Sequence, residues 1–417
     1  MSDSLARTIR VRIGSEKLLW ILLLCFLFTI SFSIAASHIL LGASAAVYFY
    51  RKLMRDRTFP RLPILLPALA FVYCSLLSNV FSLHPSISFP DSKSLMLFII
   101  LPIFYDTVRD LEDIQVLYGI LILAGVLSAT YGLVQFFGSD ADLVRTRIRG
   151  FMGHWMTFSG LLMILNVLLL SHLLFSPKHP QWFYPAFGVL SLALLLSLTR
   201  NAWLGFLAAS FVLIALRKLR WVFAIPAAVL IIFMGSVLVF PSFIAERISG
   251  IFNPNETSNR DRLRMLESGW RIIQDYPLTG VGTDMIKQVY PRYRRPDSPF
   301  QDHAHLHNNL VQLAAENGIL TLAAWLWLLY KVLSDLIRWK RTLMSAQEEF
   351  MIHGTIGVVV SLFVAGMFEY NFGDSEIKML FLALITIPYA WHQAVLRLKT
   401  GEESSEQRDL IPAGAVR

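Results

Sequence analysis

The stretch His303-Ala304-His305-Leu306-His307-Asn308-Asn309, continuing as Leu310-Val311-Gln312-Leu313-Ala314-Ala315-Glu316-Asn317-Gly318, decides how the chain is read. Three histidines close a long polar loop, and the residues after them start a helix in which Asn308, Gln312 and Glu316 recur at four-residue spacing within an apolar run. Polar and ionisable groups are costly in lipid, so such a stripe faces a bundle interior or a water-filled cavity. For Gln312 and Glu316 the plainer reading is contact between helices. Asn308, nearest the outer face, is placed to position His307.

The whole composition agrees. Of 417 residues, 55% are hydrophobic and only 16% charged, too little polar surface for a soluble multi-domain protein. A transmembrane helix needs about 20 mostly apolar residues, and such runs occur near 18–35, 37–50, 62–82, 93–107, 114–137, 151–175, 183–199, 201–216, 221–240, 308–331, 351–369 and 377–395. The expectation is an all-α polytopic membrane protein of about twelve transmembrane helices. The net charge of +8 gathers in Arg51 to Arg61, Arg217 to Arg220 and Lys331 to Arg341, each between two apolar runs. With a cytoplasmic N-terminus carrying Arg7, Arg10, Arg12 and Lys17, every cluster falls inside, so the charge expresses topology and not nucleic-acid binding. The first apolar run lacks a small-residue cleavage site and reads as a retained helix. Cys25 and Cys74 lie in apolar runs and suggest neither disulfide nor metal.

This topology gives an N-terminal bundle over 1–240, an external segment over 241–306 between the ninth and tenth helices, a C-terminal membrane unit over 307–397 and a disordered cytoplasmic tail over 398–417. Within the external segment, Ser258-Asn259-Arg260-Asp261 resembles a capping box, and Leu263, Leu266, Trp270 and Ile273 follow at helical spacing before Pro277. One amphipathic helix near the outer membrane surface is expected there, followed by a turn at Pro277-Leu278-Thr279-Gly280-Val281-Gly282.

Several charged residues then fall on one face of the membrane although far apart in the chain. Arg145, Arg147 and Arg149 occupy an external loop, where topology disfavours positive charge. Arg200 sits in a tight external turn, Arg262 opens the amphipathic helix, His307 ends the long external segment, and Glu369, Asn371 and Asp374 occupy the last external turn. Guanidinium groups match phosphate oxygens with paired hydrogen bonds, so arginines with few carboxylates among them suit a polyanion such as a lipid-borne diphosphate. A histidine among cations is kept neutral and can serve as a base. That combination fits glycosyl transfer: arginines hold the leaving diphosphate, and His307 takes the proton of an acceptor hydroxyl.

Four stretches carry a resemblance. Arg149-Gly150-Phe151-Met152-Gly153-His154, Leu198-Thr199-Arg200-Asn201-Ala202-Trp203-Leu204-Gly205, Arg262 with Pro277-Leu278-Thr279-Gly280-Val281-Gly282, and His307-Asn308-Asn309-Leu310-Val311-Gln312 with Glu316 and Gly318 resemble, in this order, the O-antigen ligase and polymerase superfamily. The resemblance implies a GT-C-type, metal-independent inner-membrane glycosyltransferase that takes a glycan from undecaprenyl diphosphate on the periplasmic side, with lipid A core, another glycan or a protein as acceptor. It also implies that Arg200 and Arg262 bind diphosphate and that His307 is catalytic, with Arg149, Asn308 and Glu369 as further binding candidates and no cofactor. The external segment is short for the family, and His303 and His305 are additions to its pattern.

Each candidate has a plainer reading. His307 serves as a helix-start cap, Arg200 as an interfacial anchor, and Arg262 as a contact for lipid phosphate. Arg145 and Arg147 read better as solvated or lipid-facing, and Glu369 pairs with an arginine as readily as it touches substrate. Alternation of His303, His305 and His307 puts three imidazoles on one face of an extended strand, but a helix starting at His307 removes that metal geometry. The pair Asp140 and Asp142 resembles the acidic motif of metal-using transferases, although acids in loops are common. A transporter of glycolipids or organic anions is the rival from another class; it would carry its charges near the bilayer midplane on broken, repeated helices.

Overall fold

The structure is a computed structural model and describes residues 12–56, 61–138, 147–217, 257–342 and 348–400. The apolar run 221–240, Arg145, Asp140, Asp142 and the tail from Gly401 lie outside the described residues. Among the described residues all regular elements are helical. They are α1 (Ser15–Thr29), α2 (Ile34–Arg51), α3 (Leu65–Val80), α4 (Pro85–Thr107, with a 3-10 stretch Ser92–Ile99), α5 (Leu111–Phe137), α6 (Trp155–Phe175) and α7 (Phe183–Leu196). There follow α8 (Arg200–Arg217), α9 (Thr257–Asp275), α10 (Ile286–Tyr293), α11 (Asn309–Thr342), α12 (Glu349–Ala365) and α13 (Ser375–Thr400).

By length and composition, six of the described helices can cross a membrane: α4, α5, α6, α8, α11 and α13. Helices α3, α7 and α12 are shorter apolar helices. In α6 and α13 respectively, 83% and 78% of the apolar window is buried, against 33% in α4 and in α8, so the first two form the centre of the bundle. Helices apolar on all sides belong there.

Ion pairs mark one end of the bundle. Arg12 Nη1 donates to Asp113 Oδ1 at 2.9 Å, Lys52 Nζ lies 2.7 Å from Asp106 Oδ2, and Lys331 Nζ is 2.8 Å from Asp335 Oδ2. Arg217 Nη1 is 3.9 Å from Glu349 Oε2 at the same end. One described residue of each basic cluster singled out in the sequence, Lys52, Arg217 and Lys331, thus lies at this end, and the His307 segment lies at the other.

Helix α11 is one apolar run in the sequence but two helices in the structure, broken where Gly318 has φ 81° and ψ 169°. That backbone region is essentially restricted to glycine. The break frees carbonyls that need partners, and the Pro277–Gly282 turn supplies them. Val281 N donates to Ala315 O at 3.0 Å and Gly282 N to Glu316 O at 2.8 Å, while Ile319 N donates to Pro277 O at 2.9 Å. A Cβ on Gly280 would collide with Glu316 O, and one on Gly318 with Leu278 O. Two separate sequence motifs are thus the two halves of one joint.

The amphipathic helix exists as α9 (Thr257–Asp275), and it packs into the protein by one face. Asp261, Met265, Ser268, Gly269, Ile272 and Ile273 are buried, whereas Leu263 and Trp270 are 56% and 60% exposed. Small residues permit this packing: Gly269 sits so close to the side chains of Leu306 and Val311 that a Cβ there would overlap both.

Candidate functional site

The site is built on three consecutive residues, His307, Asn308 and Asn309, each fastened to the turn between α12 and α13. Asn308 caps α11: its Oδ1 accepts from Leu310 N at 2.9 Å and Val311 N at 3.0 Å. Its Nδ2 donates to Met367 O at 2.9 Å. Asn309 N donates to Gly366 O at 2.7 Å, Asn309 Nδ2 to Asn371 Oδ1 at 2.7 Å, and Phe372 N to Asn309 Oδ1 at 3.2 Å. A Cβ at Gly366 would strike the Asn309 amide, so the turn lies directly against α11. From below, Gln312 Oε1 accepts from Leu306 N at 2.7 Å.

This clamp corrects one expectation. The helix starts at Asn309 and not at His307, because Asn308 is its cap and His307 takes a left-handed conformation with φ 48°. The left-handed residue turns the imidazole toward Glu369, whose Oε2 lies 2.7 Å from His307 Nδ1. The Glu369 carboxylate is buried, and its Oε1 also accepts from Tyr370 N at 3.1 Å.

His305 joins the pair. Its ring meets that of His307 at 4.2 Å with an interplanar angle of 66°, and its Nδ1 is 3.7 Å from Glu369 Oε1. Since 303–307 is not helical, His305 and His307 do come together, while His303 turns away: His303 Nε2 is 3.1 Å from Asp261 Oδ1. That contact ties the loop to α9 next to Arg262.

Charge at this end follows from burial and these neighbours. Burial and the adjacent charge of His307 push His305 down to about 4, so it is neutral at ordinary pH. Burial alone would raise Glu369, but its hydrogen bond to His307, together with the neighbouring imidazoles and Arg262, holds the carboxyl below its usual range. His154 is depressed, first by burial and then by Arg147 and His307, with Glu369 opposing. Tyr370 is raised by burial and nearby acids. Asp374, which accepts from Thr157 Oγ1 at 2.9 Å, is raised to about 7 by burial.

Of the arginines, Arg262 acts electrostatically on Glu369 and is half-buried on α9. Arg200 is placed by helix register. Gly205 packs on Ser361 and Ala365, and Arg217 on Glu349, so α8 runs antiparallel to α12 and its first residue lies at the end where the Glu369 turn begins. Arg149 is exposed in a loop at the same end. Gln135 holds that loop, accepting from Gly150 N at 3.1 Å and donating to Gly150 O at 2.9 Å, and Phe151 stacks on Tyr131 at 4.3 Å. Arg147 lies 5.4 Å from the centre of the Trp155 ring.

Sequence reasoning did not single out His154 or Tyr370, and left His303 and His305 without a role. The signal for His305 was the His-Ala-His-Leu-His alternation itself. Nothing in the sequence paired Glu369 with His307 rather than with an arginine, because that contact crosses a whole helical hairpin.

No curated protein matches the chain. Residues 185–326 match the family model described as O-antigen ligase, about a third of the chain, and this span contains Arg200, Arg262, the Pro277–Gly282 turn and the His307 cap.

Proposed function

We propose that the chain is a lipid-linked glycan transferase of about twelve transmembrane helices and GT-C type, embedded in the bacterial inner membrane with both termini cytoplasmic and the site on the periplasmic face. In this reading it moves an O-antigen-type glycan from undecaprenyl diphosphate to lipid A core. The observation that carries it is the hydrogen bond between His307 Nδ1 and the buried Glu369 carboxylate. A carboxylate accepting Nδ1–H fixes the tautomer and leaves the Nε2 lone pair as a base.

Arg200 and Arg262, with Arg149 at the loop, bind the diphosphate. The acceptor hydroxyl passes its proton to His307 Nε2 as its oxygen attacks the anomeric carbon. The bond from that carbon to the diphosphate oxygen breaks, and its electron pair leaves with undecaprenyl diphosphate, whose growing charge the guanidinium groups offset. No general acid is needed, since the leaving group departs as an anion, and neither metal nor cofactor enters the scheme. Glu369 orients and stabilises the imidazolium instead of touching the donor. Asn308 keeps His307 in place through the α11 cap. The charged groups sit at one end of the bundle and not at its middle, which favours an enzyme over a transporter.

The test is to incubate purified protein with undecaprenyl-diphosphate glycan and, in turn, lipid A core, a second lipid-linked glycan and a Ser/Thr-containing exported protein. Glycosylated lipid A core is the expected product. Transfer only to the second glycan would identify a polymerase, and transfer only to protein an O-oligosaccharyltransferase. His307→Ala is expected to abolish transfer while leaving donor binding intact. Normal transfer by that variant would refute the role of the base.

A further inference from the structure

The cluster at the base holds more ligand atoms than proton transfer uses. One ligand atom from each of His305, His307 and Glu369 lies within 4.8 Å of the other two. His307 Nδ1 is 2.7 Å from Glu369 Oε2, and His305 Nδ1 is 3.7 Å from Glu369 Oε1. His305 Nδ1 is buried and makes no hydrogen bond, a situation that buried polar atoms rarely tolerate without a partner of some kind. Around a tetrahedral zinc ion, with bonds of about 2.0–2.1 Å, ligand atoms stand roughly 3.3 Å apart. With one carboxylate oxygen as ligand, the three atoms would draw together from separations of at most 4.8 Å by side-chain torsions.

We propose that His305, His307 and Glu369 form a binding site for Zn2+ or a similar nitrogen-seeking divalent cation, and that occupation reversibly switches transfer off. The inhibitory half rests on His307 being the base. Two imidazoles with one carboxylate select zinc, cobalt or copper over magnesium and calcium, which prefer all-oxygen sites. Three protein ligands leave a fourth position to water. The guanidinium of Arg262, which acts on Glu369, opposes a dication and keeps the site weaker than a structural zinc centre.

Inhibition follows from the tautomer. In the ion-free pair, Nδ1–H donates to Glu369 and Nε2 carries the lone pair. A cation takes the Nδ1 lone pair, so the single proton of neutral His307 must reside on Nε2. The proton lost from Nδ1 is balanced by one gained at Nε2 from water, and no net charge leaves the ring. With Nε2 protonated, the acceptor hydroxyl has nowhere to send its proton, yet the arginines are untouched and donor binding persists.

The purified full-length protein, freed of metal, is titrated with Co2+, whose visible ligand-field bands report four-coordination, and then with Zn2+ to displace it. One equivalent with four-coordinate bands is expected, lost in His305→Phe, which keeps a ring against His307, and in Glu369→Gln. In the transfer assay Zn2+ should inhibit, EDTA should restore and Mg2+ should do nothing. His305→Phe should still transfer, with the inhibiting Zn2+ concentration raised more than about tenfold. Absence of a saturable site, or bands unchanged in both variants, would overturn the site. Intact Co2+ binding with transfer insensitive to Zn2+ would overturn the switch. A protein that transfers nothing under any condition would count against the functional reading, while the Co2+ titration still judges the site by itself.

Discussion

Replacing Glu369 by glutamine keeps the size and one acceptor oxygen but removes the charge that His307 Nδ1 meets at 2.7 Å. A hydrogen bond to a charged group contributes about 1.5–3 kcal/mol. The bond strengthens as the imidazole gains its proton, so nearly all of this is lost from the transition state. At 1.36 kcal/mol per decade, the rate should fall by about 10- to 150-fold. Should the amide instead present its NH2 group, the tautomer reverses, and a loss of order 10^4 is expected by analogy with the aspartate of serine proteases. Steady-state transfer from undecaprenyl-diphosphate glycan, with kcat separated from donor KM, distinguishes the possibilities. The loss should sit in kcat. If Glu369→Gln raised donor KM with kcat unchanged, Glu369 would be acting on donor or on Arg262, and the reasoning about the base would be wrong.

Further outcomes follow from the same geometry. Arg200→Ala or Arg262→Ala should raise donor KM and lower kcat/KM, and the lysine variants should restore only part of it, because ammonium cannot form the paired contact; full rescue by lysine in steady-state assays would exclude a bidentate role. Gly318→Ala places a side chain in a glycine-only conformation and against Leu278 O, so thermal unfolding in detergent should show a loss of at least about 1–3 kcal/mol, whereas an unchanged melting temperature would deny the joint. His305 is depressed to about 4 from an ordinary value near 6.5. The unfolded chain therefore binds more protons between these values, and this contribution to stability is lost as pH falls from about 6.5 through 4. The melting temperature of His305→Phe should decline less over that window than that of the wild type, and parallel curves would rule the shift out.

Six of the described helices were legible because runs long enough to cross a membrane announce themselves by length and apolarity. The joint was half legible: Pro277 and Gly282 marked a turn, but Gly318 looked like one glycine within a continuous helix, since the carbonyls it frees are satisfied by a segment distant in sequence. The face by which α9 packs into the protein was hidden for a related reason. Large side chains dominate a helical pattern read in isolation, whereas Ser268 and Gly269 matter only once Leu306 and Val311 are known to lie against them. Likewise the sequence expected His307 and Glu369 on one face, and the structure brings them into contact, but that contact depends on Asn308 and Asn309 fastening α11 to the turn at Met367 and Asn371.

That fastening has a consequence for where the catalytic unit ends. The family-matched segment stops at residue 326, in the middle of α11, whereas Glu369, the carboxylate beside His307, arrives only after the chain has crossed back along α12. A truncated protein retaining every matched residue but lacking the final hairpin would lose both the neighbour of that imidazole and, with α13, a helix from the centre of the bundle.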